Sequence, residues 1–298
     1  MKIFCHSQGT RSRDPHVMKH NGKYYWTYAE DSCLFIVESD AIDGFDTAAT
    51  TKVWTPENNE WAHEVWAPEL HVLDGVCYIY VACDDGNNHH HRMYVLSNSS
   101  NDPLQPYKNL GKITDPTDKW AIDGNILHHS TGRYIVWSGW EGDENIEQKI
   151  YIAKLKSPTE MEGERVMISR PEHDWEKLGG NGRPDGMPFI NEGPFAFSDN
   201  GRTFVAYSGA GSWTDHYCIA LLELVGDDPM DASAWKKHPT PYLDKNDQFM
   251  GCGHCSIIEE ENLIFFHAWR ADEQRIEWNT VYPVCAAYRF DGDEMVIE

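Results

Sequence analysis

One short pattern recurs five times along the chain, at intervals of roughly sixty residues, and a recurrence of that length restricts the fold more than anything else in the sequence. A polar or acidic residue beside Pro or Gly is followed shortly by an aromatic, β-branched run. Arg13-Asp14-Pro15 precedes Tyr24-Tyr25-Trp26-Thr27-Tyr28, and Trp66-Ala67-Pro68-Glu69 precedes Tyr78-Ile79-Tyr80-Val81. Ile122-Asp123-Gly124 precedes Tyr134-Ile135-Val136-Trp137-Ser138, and Asn191-Glu192-Gly193-Pro194 precedes Phe204-Val205-Ala206-Tyr207-Ser208. Gly253-His254-Cys255-Ser256 precedes Leu263-Ile264-Phe265-Phe266-His267. More strand-like runs lie between, such as Met93-Tyr94-Val95-Leu96 and Ile150-Tyr151-Ile152-Ala153, each bounded by Gly, Pro, Asn or Asp.

A four-stranded propeller blade takes about fifty residues, so five units fill the 298 residues. The sequence therefore predicts an all-β chain, a five-bladed β-propeller occupying 1–298 as a single domain. One short helical turn is expected over Asp231–Trp235. Long polar loops are expected over Asp84–Arg92 and Glu172–Gly186, at a channel mouth. The innermost strand of every blade lines the central channel, so residues that start those strands converge although they are far apart in sequence. Asp14, Trp66, Asp123, Glu192 and His254, taken in equal phase, should ring one funnel.

Three of those five are carboxylates. Glycoside hydrolysis needs one carboxyl group as acid and a second as base or nucleophile, about 6.5–9.5 Å apart where a water must enter between them and nearer 5 Å where it need not. Residues from blades one and four, Asp14 and Glu192, suit the wider gap. Asp123 suits a supporting role, since a neighbouring negative charge raises the pKa of a carboxylic acid. Each dipeptide alone reads equally well as a turn; their common place in the repeat is what joins them.

Charge removes other classes of function. The formal net charge is −23, which repels nucleic acid and anionic lipid. No apolar run approaches a membrane span and no leader peptide is visible, so the chain as given reads as cytoplasmic, or as secreted if a signal peptide preceded it. Several of the eight cysteines sit inside apolar runs and read as small buried hydrophobes. Cys252-Gly253-His254-Cys255 spells a disulfide-oxidoreductase motif, but a strand-like run follows it, not the helix that would lower a thiol pKa. His89-His90-His91 lies in a polar loop and reads as a mouth-lining segment, and Asp84-Asp85-Gly86-Asn87 lacks the rest of a calcium loop.

The five blade-start motifs, in their order and spacing, resemble those of glycoside hydrolase family 43 across nearly the whole chain. His91-Arg92-Met93-Tyr94-Val95-Leu96, Ile150-Tyr151-Ile152-Ala153 and Tyr207-Ser208-Gly209-Ala210-Gly211-Ser212-Trp213 further resemble its α-L-arabinofuranosidase members. The resemblance implies hydrolysis with inversion, with Asp14 as general base, Glu192 as general acid and Asp123 as pKa modulator. It implies Trp66 in the sugar-binding wall and Arg270 near the sugar, with Trp140 and Arg13 counted among the substrate contacts. His254 matches a channel histidine that also contacts substrate and in some members helps hold calcium or another ion through water. No cofactor is required; a structural ion in the channel is an expectation from resemblance. Cys255 and His16 depart from the small polar and apolar residues expected at their positions. The expected activity is exo-acting removal of arabinose from arabinan or arabino-oligosaccharides. A β-D-xylosidase and a non-catalytic glycan-binding propeller are the alternatives, and the oligomeric state stays open.

Overall fold

The computed structural model describes residues 1–5, 12–57, 63–273 and 277–298. Five antiparallel sheets follow one another along the chain. Blade one comprises His16–His20, Lys23–Glu30, Cys33–Ser39 and Thr50–Trp54; blade two comprises His63–Leu73, Val76–Asp84, Arg92–Ser97 and Lys108–Ile113. Blade three comprises Ala121–His129, Gly132–Gly139, Lys149–Ser157 and Glu160–Ser169; blade four comprises Asn191–Asp199, Arg202–Gly209, Cys218–Leu224 and Trp235–Lys237. Blade five joins both ends of the chain. Phe249–Ile258, Leu263–Arg270 and Tyr282–Asp291 pair in order, and the N-terminal strand Lys2–Ile3 bonds to Tyr282–Asp291, with Lys2 opposite Cys285. That pairing closes the ring. Glu294–Ile297 extends the same edge. The arrangement is the five-bladed β-propeller that the repeat predicts. A 3₁₀ turn at Ala232–Ala234 occupies the place of the expected helical turn.

The middle strands of each blade are covered on both faces by the neighbouring blades, which explains why they read as continuous apolar runs, while outer strands such as Lys108–Ile113 are exposed. Successive side chains on one strand point to opposite faces. On the second strand of blade three, Tyr134 and Val136 pack against blade four, while Ile135 and Trp137 pack against blade two. Phe265 packs towards blade one, and its neighbours Ile264 and Phe266 towards blade four. An apolar cluster of this kind fills every junction between neighbouring blades. Cys77 and Cys83 take part in one, Cys252 and Cys255 in another, as small hydrophobes.

A shared irregularity positions the site. Between the pairs Ile122–Ser138 and Asn125–Val136, two residues, Asp123 and Gly124, stand opposite one. Register shifts of the same size place Ala67-Pro68, Gly193-Pro194 and His254-Cys255 in the inner strands of blades two, four and five. These are β-bulges, which re-aim side chains and interrupt pairing. The first bulge residue is left-handed in each: Ala67 at φ 44°, Asp123 at 59°, Gly193 at 54° and His254 at 51°. Asp14, at φ 48° just before its strand, occupies the matching place in blade one. Proline follows in three blades, where a missing N–H costs no ladder bond. Thus the equal phase read from the sequence is off by one for two residues. Trp66 and Glu192 precede the left-handed residue, whereas Asp14, Asp123 and His254 occupy it. The functional side chain thus stands at the left-handed residue in blades one, three and five and one residue earlier in blades two and four, where Ala67 and Gly193 take that conformation.

Candidate active site

The bulges surround the narrow end of a cavity of about 780 Å³. Asp14, Asp123, Glu192 and His254 all line it, with Trp66, Trp120, Trp213 and Trp278 among its walls. The structure therefore brings together the three carboxylates, Trp66 and His254 that the sequence singles out. Asp123, Glu192 and His254 are buried, while Trp278 is 51% exposed and marks the open end.

The carboxylates sit in opposed electrostatic settings. Asp14 Oδ1 lies 3.2 Å from His254 Nδ1 and 3.1 Å from His267 Nδ1. Burial alone would raise its pKa, but His254, His267 and Arg13 together outweigh burial and hold it below the usual carboxylate range. Glu192 is raised, first by burial and further by Asp14, against the opposing effects of His254, the Tyr217 hydroxyl and Arg13. Asp123 is also raised, by burial and by the charges of Glu192 and Asp14, against the pull of His254. The site thus holds one carboxylate as an anion and favours the protonated form of the other two.

His254 stands among these charges. Burial lowers its pKa, but Asp14, Asp123, Glu69 and Glu192 raise it further than burial lowers it. At an effective dielectric near 20, one ion pair at about 4 Å is worth about 4 kcal/mol, or about three pKa units. A single close carboxylate, here the anionic Asp14, is therefore enough to offset a typical burial penalty.

Bonds between blades fix the carboxylates. Asp123 Oδ2 accepts the Gly193 N–H at 2.9 Å, and Asn125 Oδ1 accepts the Ala196 N–H at 2.8 Å. Asn125 Nδ2 donates to Glu69 Oε2 at 2.6 Å, which ties in blade two. Ser208 Oγ accepts the His254 N–H at 2.7 Å. Behind Glu192, Asn191 Nδ2 donates to Glu176 Oε1 at 2.9 Å; that buried carboxylate also accepts from Tyr207 and pairs with Lys237 Nζ at 2.7 Å. Glu69 and Asn125 lie two residues beyond the left-handed position, which the period of a strand turns to the same channel. The motif Trp66-Ala67-Pro68-Glu69 carried that signal. Tyr217, outside any strand, and Glu176, in a polar loop, had none.

Two expected contacts take other positions. Trp140 is 1% exposed and stacks flat behind Trp120, with ring centroids 4.7 Å apart at 8°; Trp120 is the ring that meets the cavity. Arg270 projects from the end of its strand, is half exposed and pairs with Asp272 at 3.0 Å, away from the cavity lining. The arginine that does line the cavity is Arg13, yet its donors go to protein: Nη1 to Trp278 O at 2.7 Å and Nη2 to Ser212 O at 3.1 Å. The His89–His91 segment divides. His91 is buried and stacks on Trp66 at 4.0 Å, so it backs the sugar wall instead of touching the cavity, while His89 and His90 are exposed.

Direct metal ligation does not fit these residues. His254 Nδ1 is engaged by Asp14 Oδ1 at 3.2 Å, so that atom is not free to bind an ion. Among the described residues no group of three or more His, Cys, Asp or Glu is arranged to hold an ion. Among those residues, too, no helix is long and apolar enough to cross a membrane.

Comparison with known proteins gives a consistent result. Residues 9–284 match the profile of Glycosyl hydrolases family 43. The chain is 30% identical over 268 residues to an extracellular exo-α-(1→5)-L-arabinofuranosidase of Streptomyces chartreusis, covering 86% of this chain and 79% of that protein. It is 33% identical over 241 residues to α-L-arabinofuranosidase 43 of Humicola insolens, covering 78% of this chain and 48% of that protein. It thus spans about half the length of this second relative. The crystal structure of an α-L-arabinofuranosidase from Lactobacillus brevis superposes with a TM-score of 0.83 at 25% identity, covering 98% of this chain and 97% of that one.

Proposed function

The chain belongs to glycosyl hydrolases family 43 and is a glycoside hydrolase, and from that premise we propose that it is an inverting, exo-acting α-L-arabinofuranosidase that releases arabinose from arabinan or arabino-oligosaccharides. In this reading Asp14 takes a proton from water as the water oxygen bonds to the anomeric carbon. The bond to the leaving oxygen breaks on the opposite side, and Glu192 gives that oxygen its proton. Asp123 keeps Glu192 protonated between turnovers and orients it through Gly193. A first-formed β-arabinofuranose follows from inversion of an α-linkage.

The observation that carries the reading is the division of protonation within one cavity. Asp14 is held anionic by two histidines and an arginine, and Glu192 is held towards its acid form. A base and an acid need that division at the same pH. Support for arabinose comes from the names of the relatives at 30% and 33% identity, and support for exo action from the name of the first. No cofactor enters any step. An ion held through water by His254 would add positive charge to a place the imidazolium already serves.

The test is release of 4-nitrophenol from 4-nitrophenyl α-L-arabinofuranoside and 4-nitrophenyl β-D-xyloside, with Asp14→Ala and Glu192→Ala beside the wild type. A loss of about 10²–10⁴-fold in both variants on the arabinoside is expected. A preference for the xyloside would move the reading to a β-D-xylosidase, and equal background rates in all three proteins would end it. NMR of the first-formed sugar reads the anomer, and a retained anomer would refute the assigned roles.

A further inference from the structure

His267 is the least conspicuous group around Asp14, and three partners compete for it. The Asp14 amide N–H points at its Nδ1 at 3.1 Å. The Asp14 carboxylate Oδ1 lies 3.1 Å from the same atom. On the far side of the ring, Arg13 Nη2 lies 3.2 Å from Nε2. The ring is fully buried, and burial with Arg13 beside it lowers its pKa to about 4, so it is neutral in ordinary buffer and carries one proton.

Where that proton sits follows from donor counting. Arginine has donors and no acceptor, so Nε2 can bond Arg13 only through a lone pair. With the proton on Nε2, two N–H groups would face each other across 3.2 Å, and the Nδ1 lone pair would face the carboxylate. One neutral bond from the Asp14 amide would be the gain. With the proton on Nδ1, the ring accepts from a guanidinium and donates to a carboxylate. Both bonds are charge-assisted, and each is roughly twice as strong as a neutral one. Each tautomer sets one pair of N–H groups against each other, here the Asp14 amide and the ring across 3.1 Å, so the two charge-assisted bonds decide and the amide is the partner that yields.

We infer that Arg13 is a positioning residue that locks His267 in its Nδ1–H tautomer, so that His267 holds the Asp14 carboxylate in place as hydrogen-bond donor. Arg13 is itself fixed on every side. Its guanidinium bonds to the Trp278 and Ser212 carbonyls and lies 3.6 Å from the centre of the Trp278 ring. Trp278, Arg13, His267 and Asp14 form one chain of contacts, in which Trp278, Arg13 and Asp14 line the cavity and the His267 ring is buried behind them. Arg13 therefore acts on the base through a ring. The kinetic consequence rests on the reading of Asp14 as base; the tautomer does not.

Long-range ¹H–¹⁵N correlation spectra of the histidine rings test the lock, with His267→Asn used to assign the signal. Wild-type His267 should show its proton on Nδ1 and a lone pair on Nε2. Arg13→Met, which keeps the length of the side chain and removes its donors, should shift the ring towards the Nε2–H form. An Nε2–H ring in the wild type would overturn the inference, as would an unchanged ring in Arg13→Met. Kinetics supply the second arm. The Asn side-chain nitrogen falls near the place of Nδ1, so His267→Asn should keep kcat within about tenfold, while His267→Ala and Arg13→Met should each lose about 10²-fold. Equal losses in His267→Asn and His267→Ala would reduce the ring to a packing role and overturn the inference. If the wild type cleaves no arabinofuranoside, the functional reading fails and the spectra still decide the tautomer.

Discussion

Asp123 Oδ2 accepts the backbone N–H of Gly193 at 2.9 Å, so the modulating carboxylate is bonded to the residue that directly follows Glu192. One contact thus joins electrostatics to position. In the proposed roles Asp123 raises the pKa of a neighbouring acid, and the same bond fixes the strand that presents it.

Asp123→Asn separates the two effects. The amide oxygen can still accept from Gly193, but the charge beside Glu192 is gone. Glu192 should lose its proton more readily, so the alkaline limb of the kcat/KM profile should move to lower pH, with a loss of about tenfold or more at neutral pH. Asp123→Ala should show the same shift and also lose the bond, worth about 1 kcal/mol, visible in urea unfolding. An alkaline limb that stays in place in both variants would remove Asp123 from the role.

The blade count, the closure into one funnel and the three carboxylates were legible because each leaves a local mark: a turn dipeptide, an aromatic run, a regular interval. Positions that depend on how neighbouring blades meet were not. Trp140 and Trp120 both flank the third blade's aromatic run, and only packing decides which face meets the cavity. Arg270 and His267 lie on one strand three residues apart; the strand end carries Arg270 to solvent while His267 turns inward. Arg13 stands next to Asp14, and nothing local in the sequence tells that donors of both its terminal nitrogens reach Trp278, Ser212 and His267. The offset of Trp66 and Glu192 was equally hidden, because the left-handed residue of the bulge is a backbone feature that side-chain type does not mark.

Acid should unfold this protein through its buried rings. His16 and His267 are lowered to about 4 and His71 to about 3, in each case first by burial. An unfolded histidine titrates near 6.5. The native state keeps these rings neutral, so their stability is fully present above about 6.5 and is lost as pH falls towards their folded values. At most, His16 and His267 each account for about 3 kcal/mol and His71 for about 5 kcal/mol. His254 has the opposite sign: its folded pKa is raised, so its contribution is present below about 6.5 and is lost as pH rises through the folded value. Tm should peak near neutrality and fall steeply between pH 6.5 and 4. His71→Leu has no proton to gain there and should fall less steeply; an identical slope would contradict the assignment.

The positive charge beside Asp14 is supplied by the chain itself. Dialysis against EDTA should therefore leave kcat/KM within about twofold, whereas His254→Gln, which keeps a donor but no charge, should lose about 10²–10⁴-fold. The same variant should move the acid limb of the kcat/KM profile to higher pH, because Asp14 loses its largest stabilising neighbour. Loss of activity in EDTA with full recovery on adding calcium would show that an ion, and not the imidazolium, balances the carboxylates.

Gly193→Ala isolates the contact between blades four and five. The left-handed backbone costs a residue with a Cβ about 1–2 kcal/mol, and Gly193 sits at φ 54°. That cost is not prohibitive here, since Ala67 occupies the matching bulge of blade two at φ 44°. What differs is the neighbour. A Cβ on Gly193 would lie 3.0 Å from Cγ and 3.1 Å from Nδ1 of His254, the atom that faces Asp14. The ring must give way, and it is held by Asp14 on one side and by its own backbone bond to Ser208 on the other. Gly193→Ala should therefore lose only about 1–2 kcal/mol of stability but reduce kcat about tenfold or more, because the ring that pairs with the base is displaced. Urea unfolding and kcat measured on the same preparations separate the two effects. A variant that unfolds earlier yet keeps full kcat would show that the bulge sets stability alone and that His254 does not depend on the glycine beside it.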